Sequence, residues 1–317
     1  MNKNILITGG LGYVGGRITE FLSSNTDYNL IVADITDKVI TPPDWIKKGN
    51  ILNLDITSKN IADALKDINC IVHLAAVNEI ESLENPEKAL LINGFGSLNL
   101  LKMAELNKVE RFIYFSTAHI YKSPLSGVID EKTLPRPIHP YAITHKVAED
   151  FILASYDKKK IQSVVIRMSN SFGKPVSADI DRWTLLVNDL CKQAVVNKKL
   201  ILKSSGLQVR DFITLEDVSR AVHHLIQLPP TKLDNGIFNL GGEKTLSILD
   251  MTTLIADRCN IVLGFYPKII RPEPVQDESI DYLEYRIDKL KNTGFNLLSN
   301  FEKEIDNMLI FCNESFK

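Results

Sequence analysis

The 317-residue sequence lacks the features that build secreted, membrane-spanning or nucleic-acid-binding proteins. Its four cysteines, Cys70, Cys191, Cys259 and Cys312, form no Cys-x-x-Cys pair, which favours reduced, mostly buried thiols over a disulfide framework. No apolar run approaches the ~20 residues of a bilayer span, and no secretion signal opens the chain. Because 37 basic and 39 acidic residues nearly cancel, no overall field attracts nucleic acid or an anionic membrane. We therefore expect a cytoplasmic protein.

The first half of the chain alternates short apolar runs with stretches at helical spacing. The runs that predict strands are Ile5–Thr8, Leu30–Ala33, Cys70–Leu74, Arg111–Phe115 and Ser163–Arg167. They are nearly continuous in apolar residues, which is typical of a parallel sheet covered by helices on both faces. Strand and helix in alternation predict an α/β fold with a doubly wound parallel sheet.

The strand–helix rhythm stops near residue 170 and returns only briefly, which predicts two domains. Arg210–Ile213 and Ile237–Leu240 are further predicted strands, separated by a helix that Thr214 caps. We predict that residues 1–169 and 211–241 form the sheet domain. Residues 170–210 and 242–317 would then form a smaller, mixed α/β cap.

A glycine-rich segment, Thr8-Gly-Gly-Leu-Gly-Tyr-Val-Gly15, lies directly between the first predicted strand and the first predicted helix. Glycines there allow a tight turn, close approach to a pyrophosphate and close helix–strand contact, and the helix N-terminus favours phosphate. Asp34 ends the second predicted strand 19 residues after Gly15, where a carboxylate meets the adenosine ribose. Since a carboxylate repels a 2′-phosphate, the pattern favours NAD over NADP.

Two further segments, Phe115–Tyr121 and Pro140–Glu149, complete a resemblance. With the glycine loop, they resemble the extended short-chain dehydrogenase/reductase family, in its nucleotide-sugar epimerase/dehydratase branch. The resemblance implies a Rossmann domain that binds NAD and a cap that binds a nucleoside-diphosphate sugar. It also implies that Tyr141 is the catalytic acid/base and that the Thr117 hydroxyl orients the substrate alcohol.

The same resemblance assigns the binding residues. The cofactor contacts that it implies are Gly9, Gly12, Tyr13, Val14, Gly15, Asp34, Asp55, Ile56, Leu74, Ala75, Ala76, Asn93, Tyr141 and His145. The substrate contacts are Thr117, His119, Asn170, Arg210 and Arg271, although a packed or solvent-facing His119 is the alternative. It further implies a homodimer formed by the helices around residues 94–107 and 141–156. No metal site is expected, since the adjacent His223 and His224 face different sides of a helix.

The sequence departs from the family at the lysine that normally follows the catalytic tyrosine by one helical turn. Here position i+4 is His145, and Lys146 lies ~100° further round the helix. We expect His145 to face the cofactor and to take the catalytic role of the family's lysine, while Lys146 faces elsewhere. Because an imidazole is mostly neutral near pH 7, we expect a slower or alkaline-shifted hydride step.

The segment Thr117-Ala118-His119 limits the reactions that the enzyme is expected to catalyse. Dehydratases of this family carry Thr-Asp-Glu there, and a decarboxylase also needs an acidic residue. We therefore expect oxidation or reduction at carbon 4 of a nucleotide sugar, by a 4-epimerase or 4-dehydrogenase of surface-polysaccharide sugar biosynthesis. A 4-keto-sugar reductase and a catalytically weakened NAD-binding sensor are the alternatives. Within Asp181-Arg-Trp183, the aromatic and cation either line the sugar site or pack at the surface.

Overall fold

The computed structural model describes residues 3–36, 42–59, 61–276, 278 and 281–317. Its strands are β1 Asn4–Thr8, β2 Asn29–Asp34, β3 Asn50–Asn53, β4 Cys70–His73, β5 Arg111–Thr117, β6 Gly127–Ile129, β7 Gln162–Met168, β8 Asn170–Phe172, β9 Lys199–Ile201, β10 Val209–Thr214, β11 Ile237–Leu240, β12 Thr245–Ser247, β13 Lys268–Ile270 and β14 Leu283–Tyr285. Its α-helices are α1 Tyr13–Asn25, α2 Glu79–Glu84, α3 Pro86–Ala89, α4 Ser97–Leu106, α5 Pro140–Asp157, α6 Leu186–Asn197, α7 Leu215–Gln227, α8 Ile248–Leu263, α9 Asp288–Asn292 and α10 Phe301–Phe316.

Within the described residues, seven parallel strands form the large sheet in the order β11-β7-β5-β4-β1-β2-β3. The chain starts at β1 in the middle and builds outward in both directions, so the sheet is doubly wound as predicted. Side chains along β1 alternate between the two faces: Ile5 and Ile7 belong to one apolar core and Leu6 to another. Helices α1 and α7 cover the first face, whereas α4 and α5 cover the second.

The cap has its own apolar core, formed where α6, α8 and α10 pack together. A small sheet of β12, β10 and β8 joins it to the large sheet domain. Strand β10 was expected in the sheet domain from residue 211, but it pairs with β8 and β12 of the small sheet. Conversely, Leu290 and Phe295, from the predicted cap segment, pack in the core of the large sheet. The exact domain boundaries stay a prediction. Among the described helices, none is long and apolar enough to cross a membrane.

Candidate active site

The cavity of greatest interest lies at the carboxyl ends of the parallel strands, where doubly wound folds bind ligands. It measures about 980 Å³, at the upper end of the ~300–1,000 Å³ typical of ligand pockets. The ends of β1, β2 and β5 line one side, and cap residues after β8 line the other. A ligand held there therefore contacts both domains.

The glycine loop brings the main chain against this cavity. Gly9 has a φ of +68°, and a Cβ placed on it would lie 2.9 Å from the Ala75 nitrogen. A Cβ on Gly15 would lie 2.1 Å from the Gly9 carbonyl oxygen, so neither position tolerates a side chain. Gly12 precedes the first turn of α1, where no side chain caps the free N–H groups. These donors and the helix dipole suit a pyrophosphate.

Asp34 stands at the end of β2 and lines the same cavity. Its carboxylate accepts hydrogen bonds from the N–H groups of Leu11, at 3.1 Å, and Ile35, at 2.9 Å. Burial raises the pKa of Asp34, against the smaller opposing effect of these two bonds. The cradle and the carboxylate both fit NAD, whose pyrophosphate and adenosine ribose they would hold. Val14, Asp55, Ile56, Leu74, Ala75 and Ala76 line the cavity as well.

Tyr13 borders the cavity, but its hydroxyl reaches into the cap. The oxygen lies 2.7 Å from the Gly173 carbonyl oxygen and 2.9 Å from Asn188 Oδ1. One turn later, Arg17 forms a partly buried ion pair with Glu304 of α10, at 2.8 Å. Helix α1 is thereby anchored to the cap, which fixes the two walls of the cavity relative to each other.

Tyr141 enters the cavity from the first turn of α5, which His139 caps by accepting the Tyr141 N–H at 3.2 Å. Burial and, to a smaller extent, Glu79 raise the pKa of the Tyr141 phenol to about 12, and Arg182 acts in the opposite direction. Thr117 ends β5 and lines the same cavity, with its hydroxyl oxygen accepting from the His119 N–H at 3.2 Å. The structure thus brings together a phenol and a hydroxyl from two separate segments.

His145 lies one turn after Tyr141 and also lines the cavity, with ring centroids 4.4 Å apart in an edge-on arrangement. Its Nδ1 is 2.7 Å from the Tyr114 hydroxyl. Burial lowers the pKa of His145 to about 4, against a smaller opposing effect of the Phe115 carbonyl, so the ring is neutral. Lys146 instead forms an ion pair with Asp150 on the outside of α5. The Lys146 ammonium therefore lies outside the cavity.

Most of the substrate contacts implied by the resemblance also meet here. His119, Asn170 and Arg210 line the cavity, and burial lowers the pKa of His119 and of Arg210. Asn93, an expected cofactor contact, and Arg271, an expected substrate contact, have other partners in the structure. Asn93 is buried, accepting from the Val77 N–H at 2.8 Å and donating to Thr144 at 3.1 Å, and Arg271 donates to the Ser205 carbonyl at 2.7 Å. Neither lines the cavity, so their ligand contacts stay a prediction.

An ion pair across the cavity was not foreseen from the sequence. Arg182 Nη2 lies 3.0 Å from Glu79 Oε2, although the two residues are 103 positions apart. Both line the cavity that contains Tyr141. The segment Asp181-Arg-Trp183 therefore shows both alternatives. Arg182 lines the cavity, whereas the Trp183 ring packs on Phe311 and Phe316. No local pattern signals such a pair, because each partner is an ordinary surface-type residue.

Comparison with known proteins places this geometry in a family. The model of the NAD dependent epimerase/dehydratase family matches residues 5–241. The chain therefore belongs to this family, which confirms the resemblance, the enzyme class and the expected cofactor, NAD.

Individual relatives within the family are distant. The chain is 28% identical over 266 residues to UDP-glucuronate 4-epimerase of Thermodesulfobacterium geofontis, covering 80% of this chain and 79% of that protein. It is 26% identical over 262 residues to mouse dTDP-D-glucose 4,6-dehydratase, covering 78% of this chain and 71% of the relative. The crystal structure of Bacillus cereus UDP-glucuronic acid 4-epimerase with UDP-glucuronic acid and NAD superposes with a TM-score of 0.80, at 22% identity over 99% of this chain and 100% of the other. That superposition confirms the fold.

Proposed function

We propose that the protein oxidises and reduces carbon 4 of a nucleoside-diphosphate sugar, as a 4-epimerase or a 4-dehydrogenase. One observation carries the proposal: Tyr141 and Thr117 line a single cavity with the glycine loop and Asp34. A phenol and a hydroxyl beside a dinucleotide site are what oxidation of a secondary alcohol requires. Relatives that act on UDP-glucuronate and dTDP-glucose support a nucleotide sugar as substrate.

In the proposed reaction, NAD supplies the hydride acceptor when bound. The Thr117 hydroxyl holds the sugar alcohol by a hydrogen bond, and the Tyr141 oxygen takes the hydroxyl proton as the carbon–hydrogen bond breaks. When a 4-keto sugar is reduced, the same phenol returns the proton. An epimerase retains the keto sugar and reduces its other face, whereas a dehydrogenase releases the keto sugar. A ketoreductase catalyses only the reduction of a keto sugar.

Arg210 and Asn170 support the proposal on the substrate side. Arg210 lines the cavity as a partly buried cation, which suits the diphosphate of a nucleotide sugar. Asn170 lies at the start of β8, where its side-chain amide donates to the Asp211 carbonyl at 3.0 Å. We propose that these two residues hold the nucleotide end while Tyr141 and Thr117 meet the sugar.

Elimination of water is disfavoured by the residues that follow Thr117. Ala118 and His119 provide no carboxyl group at the two positions where the family's dehydratases have an acid and a base. A 26% identical relative is a 4,6-dehydratase, so this difference separates the proposed reaction from that one.

The experiment is a screen of UDP-, GDP- and dTDP-sugars, with products analysed by mass spectrometry. A 4-dehydrogenase yields a product two mass units lighter, and an epimerase yields an isomer that chromatography separates. Tyr141→Phe should abolish either product while the protein still binds NAD. Tyr156→Phe is the matched control, because Tyr156 is on the same helix but donates to the Asp234 carbonyl, away from the cavity.

A second candidate function rests on the neutral His145. Without a cation at position 145, the protein would bind NAD and a partner as a sensor with little turnover. The screen separates the two functions, since a sensor retains NAD and converts no sugar. The cavity-lining Thr117, Asn170 and Arg210 favour the enzyme, because a sensor needs no sugar site.

We also propose a homodimer. Leu91, Phe95, Ile143 and Phe151 are between 43% and 52% exposed on the π-helical turn Leu90–Gly96 and on α5. These residues lie on or beside the helices around residues 94–107 and 141–156, through which the resemblance implies pairing, and a second copy would cover the apolar side chains. Analytical ultracentrifugation should show a dimer that Phe95→Glu converts to a monomer; an unchanged monomeric mass in the unmodified protein would contradict the proposal.

A further inference from the structure

The replacement of the family's lysine by His145 raises a question of proton placement. A lysine ammonium carries three protons and needs no tautomer, whereas a neutral imidazole carries one proton on either of two nitrogens. Only the nitrogen that bears the proton can donate a hydrogen bond to a cofactor. The function of His145 therefore depends on which nitrogen that is.

The surroundings of His145 differ sharply at its two nitrogens. Nδ1 lies 2.7 Å from the Tyr114 hydroxyl. Nε2 is buried and has no hydrogen-bond partner among the described residues, although the nearby Phe115 carbonyl partly opposes the effect of burial on the pKa of the ring. The side chain is only 3% exposed, so water does not readily replace a missing partner. An unsatisfied polar nitrogen at the wall of a ligand cavity points to a ligand atom.

Tyr114 is suited to donate to Nδ1. Its ring is 2% exposed, and burial raises the pKa of the phenol well above its ordinary value, against a smaller opposing interaction with Ser97. Tyr114 therefore keeps its proton. A buried phenol usually donates a hydrogen bond, and the unprotonated nitrogen of a neutral imidazole can accept it.

The polar groups on the other side of Tyr114 already satisfy one another. The Ser97 hydroxyl donates to the Asn93 carbonyl at 2.6 Å, so His73 Nε2, 2.8 Å from the Ser97 oxygen, must be the donor in that contact. The other nitrogen of His73 then accepts from the Thr8 hydroxyl at 2.6 Å. This chain runs Thr8–His73–Ser97–Asn93 and needs no proton from Tyr114, whose hydroxyl is hydrogen-bonded to His145.

We propose that Tyr114 is a positioning residue: by donating to Nδ1 it holds His145 in the tautomer with the proton on Nε2, where that proton is presented to an acceptor oxygen of the cofactor's nicotinamide ribose. The inference rests on the proposed function for the identity of the ligand. It extends that function by adding a residue outside the cavity wall. Tyr114 is absent from the residues that line the cavity, so its action passes through His145.

The direct test is ¹⁵N nuclear magnetic resonance of the protein labelled at its histidine imidazoles, as purified and saturated with NAD. Protonated and bare imidazole nitrogens resonate in well-separated ranges, and loss of one signal set in His145→Gln assigns the residue. We expect a bare Nδ1 and a protonated Nε2 at neutral pH. A ring protonated at Nδ1, or at both nitrogens, would overturn the proposal.

A double-mutant cycle separates positioning from packing. Tyr114→Phe should weaken NAD binding about tenfold, as measured by calorimetry, because the His145 proton is no longer held on Nε2. In the background of His145→Lys, the same change should cost clearly less, since an ammonium needs no tautomer. Equal losses in both backgrounds would show that Tyr114 only packs, and would overturn the proposal.

The outcomes also distinguish this inference from the proposed function. If His145 has the expected tautomer and Tyr114→Phe weakens NAD binding but no sugar is converted, the assigned reaction fails and the positioning role stands. If sugars are converted while the tautomer is reversed, the reaction stands and the role of Tyr114 is refuted.

Discussion

His145→Lys places a cation beside the Tyr141 phenol, the proposed acid/base, and should move the pH dependence of oxidation to lower pH. In the structure, burial and Glu79 raise the pKa of Tyr141 to about 12, and His145 is neutral because burial lowers its pKa to about 4. The phenol acts as a base only when ionised. The rate of the unmodified enzyme should therefore keep rising with pH well above neutrality.

The size of the shift follows from Coulomb's law. The rings of Tyr141 and His145 are 4.4 Å apart, so a lysine ammonium at position 145 would lie about 4–8 Å from the phenol oxygen. At an effective dielectric constant of about 20, a unit charge stabilises the phenolate by about 2–4 kcal/mol, or about 1.5–3 pH units. Desolvation of the ammonium favours the lower end of this range.

The assay is single-turnover reduction of bound NAD by the sugar, followed by the absorbance of the reduced nicotinamide across pH. His145→Gln is the matched control, because it is neutral and should leave the pH of half-maximal rate alkaline. We expect that only His145→Lys moves this pH downward. A half-maximal pH at or below neutrality in the unmodified enzyme, or no shift in His145→Lys, would refute the reasoning.

Three further substitutions test the cavity and its support. Gly15→Ala should abolish NAD binding in a calorimetric titration, because its Cβ would lie 2.1 Å from the Gly9 carbonyl oxygen; retained affinity would contradict the cradle. Glu149→Gln breaks the buried ion pair with Arg167, whose nitrogens lie 2.8 and 3.1 Å from the carboxylate, and should cost about 3–5 kcal/mol in urea unfolding. Glu79→Gln removes a carboxylate that raises the pKa of the Tyr141 phenol and should move the half-maximal pH of NAD reduction downward; an upward shift would contradict that role.

The sequence predicts the parts of the fold that local patterns encode. The five apolar runs all form strands of the large sheet, since strands buried on both faces are apolar throughout. Strand β3 could not be predicted in this way, because Asn50-Ile-Leu-Asn53 is short and polar at both ends. Such a sequence is compatible with its position at the edge of the sheet. The placement of β10 in the small sheet depends on pairing with β8 and β12, which no local pattern specifies.

The same distinction applies to the candidate site. The glycine loop, Thr117 and Tyr141 could be predicted because each lies in a contiguous motif whose spacing reflects its chemistry. The Glu79–Arg182 pair and the contact of Tyr114 with His145 could not, because they join segments far apart in the chain. Arg271 donates to the Ser205 carbonyl within the cap, and its expected substrate contact stays a prediction.

The most direct measurement uses a nucleotide sugar that carries deuterium at carbon 4, given to the NAD-loaded enzyme in a single turnover. The account predicts that deuterium reaches the nicotinamide ring, where a 4-dehydrogenase leaves it and a 4-epimerase holds it only until it returns to carbon 4 of the product. Tyr141→Phe should show no transfer although it still binds NAD. Product that forms without deuterium passing through the nicotinamide ring, or transfer that survives in Tyr141→Phe, would contradict it.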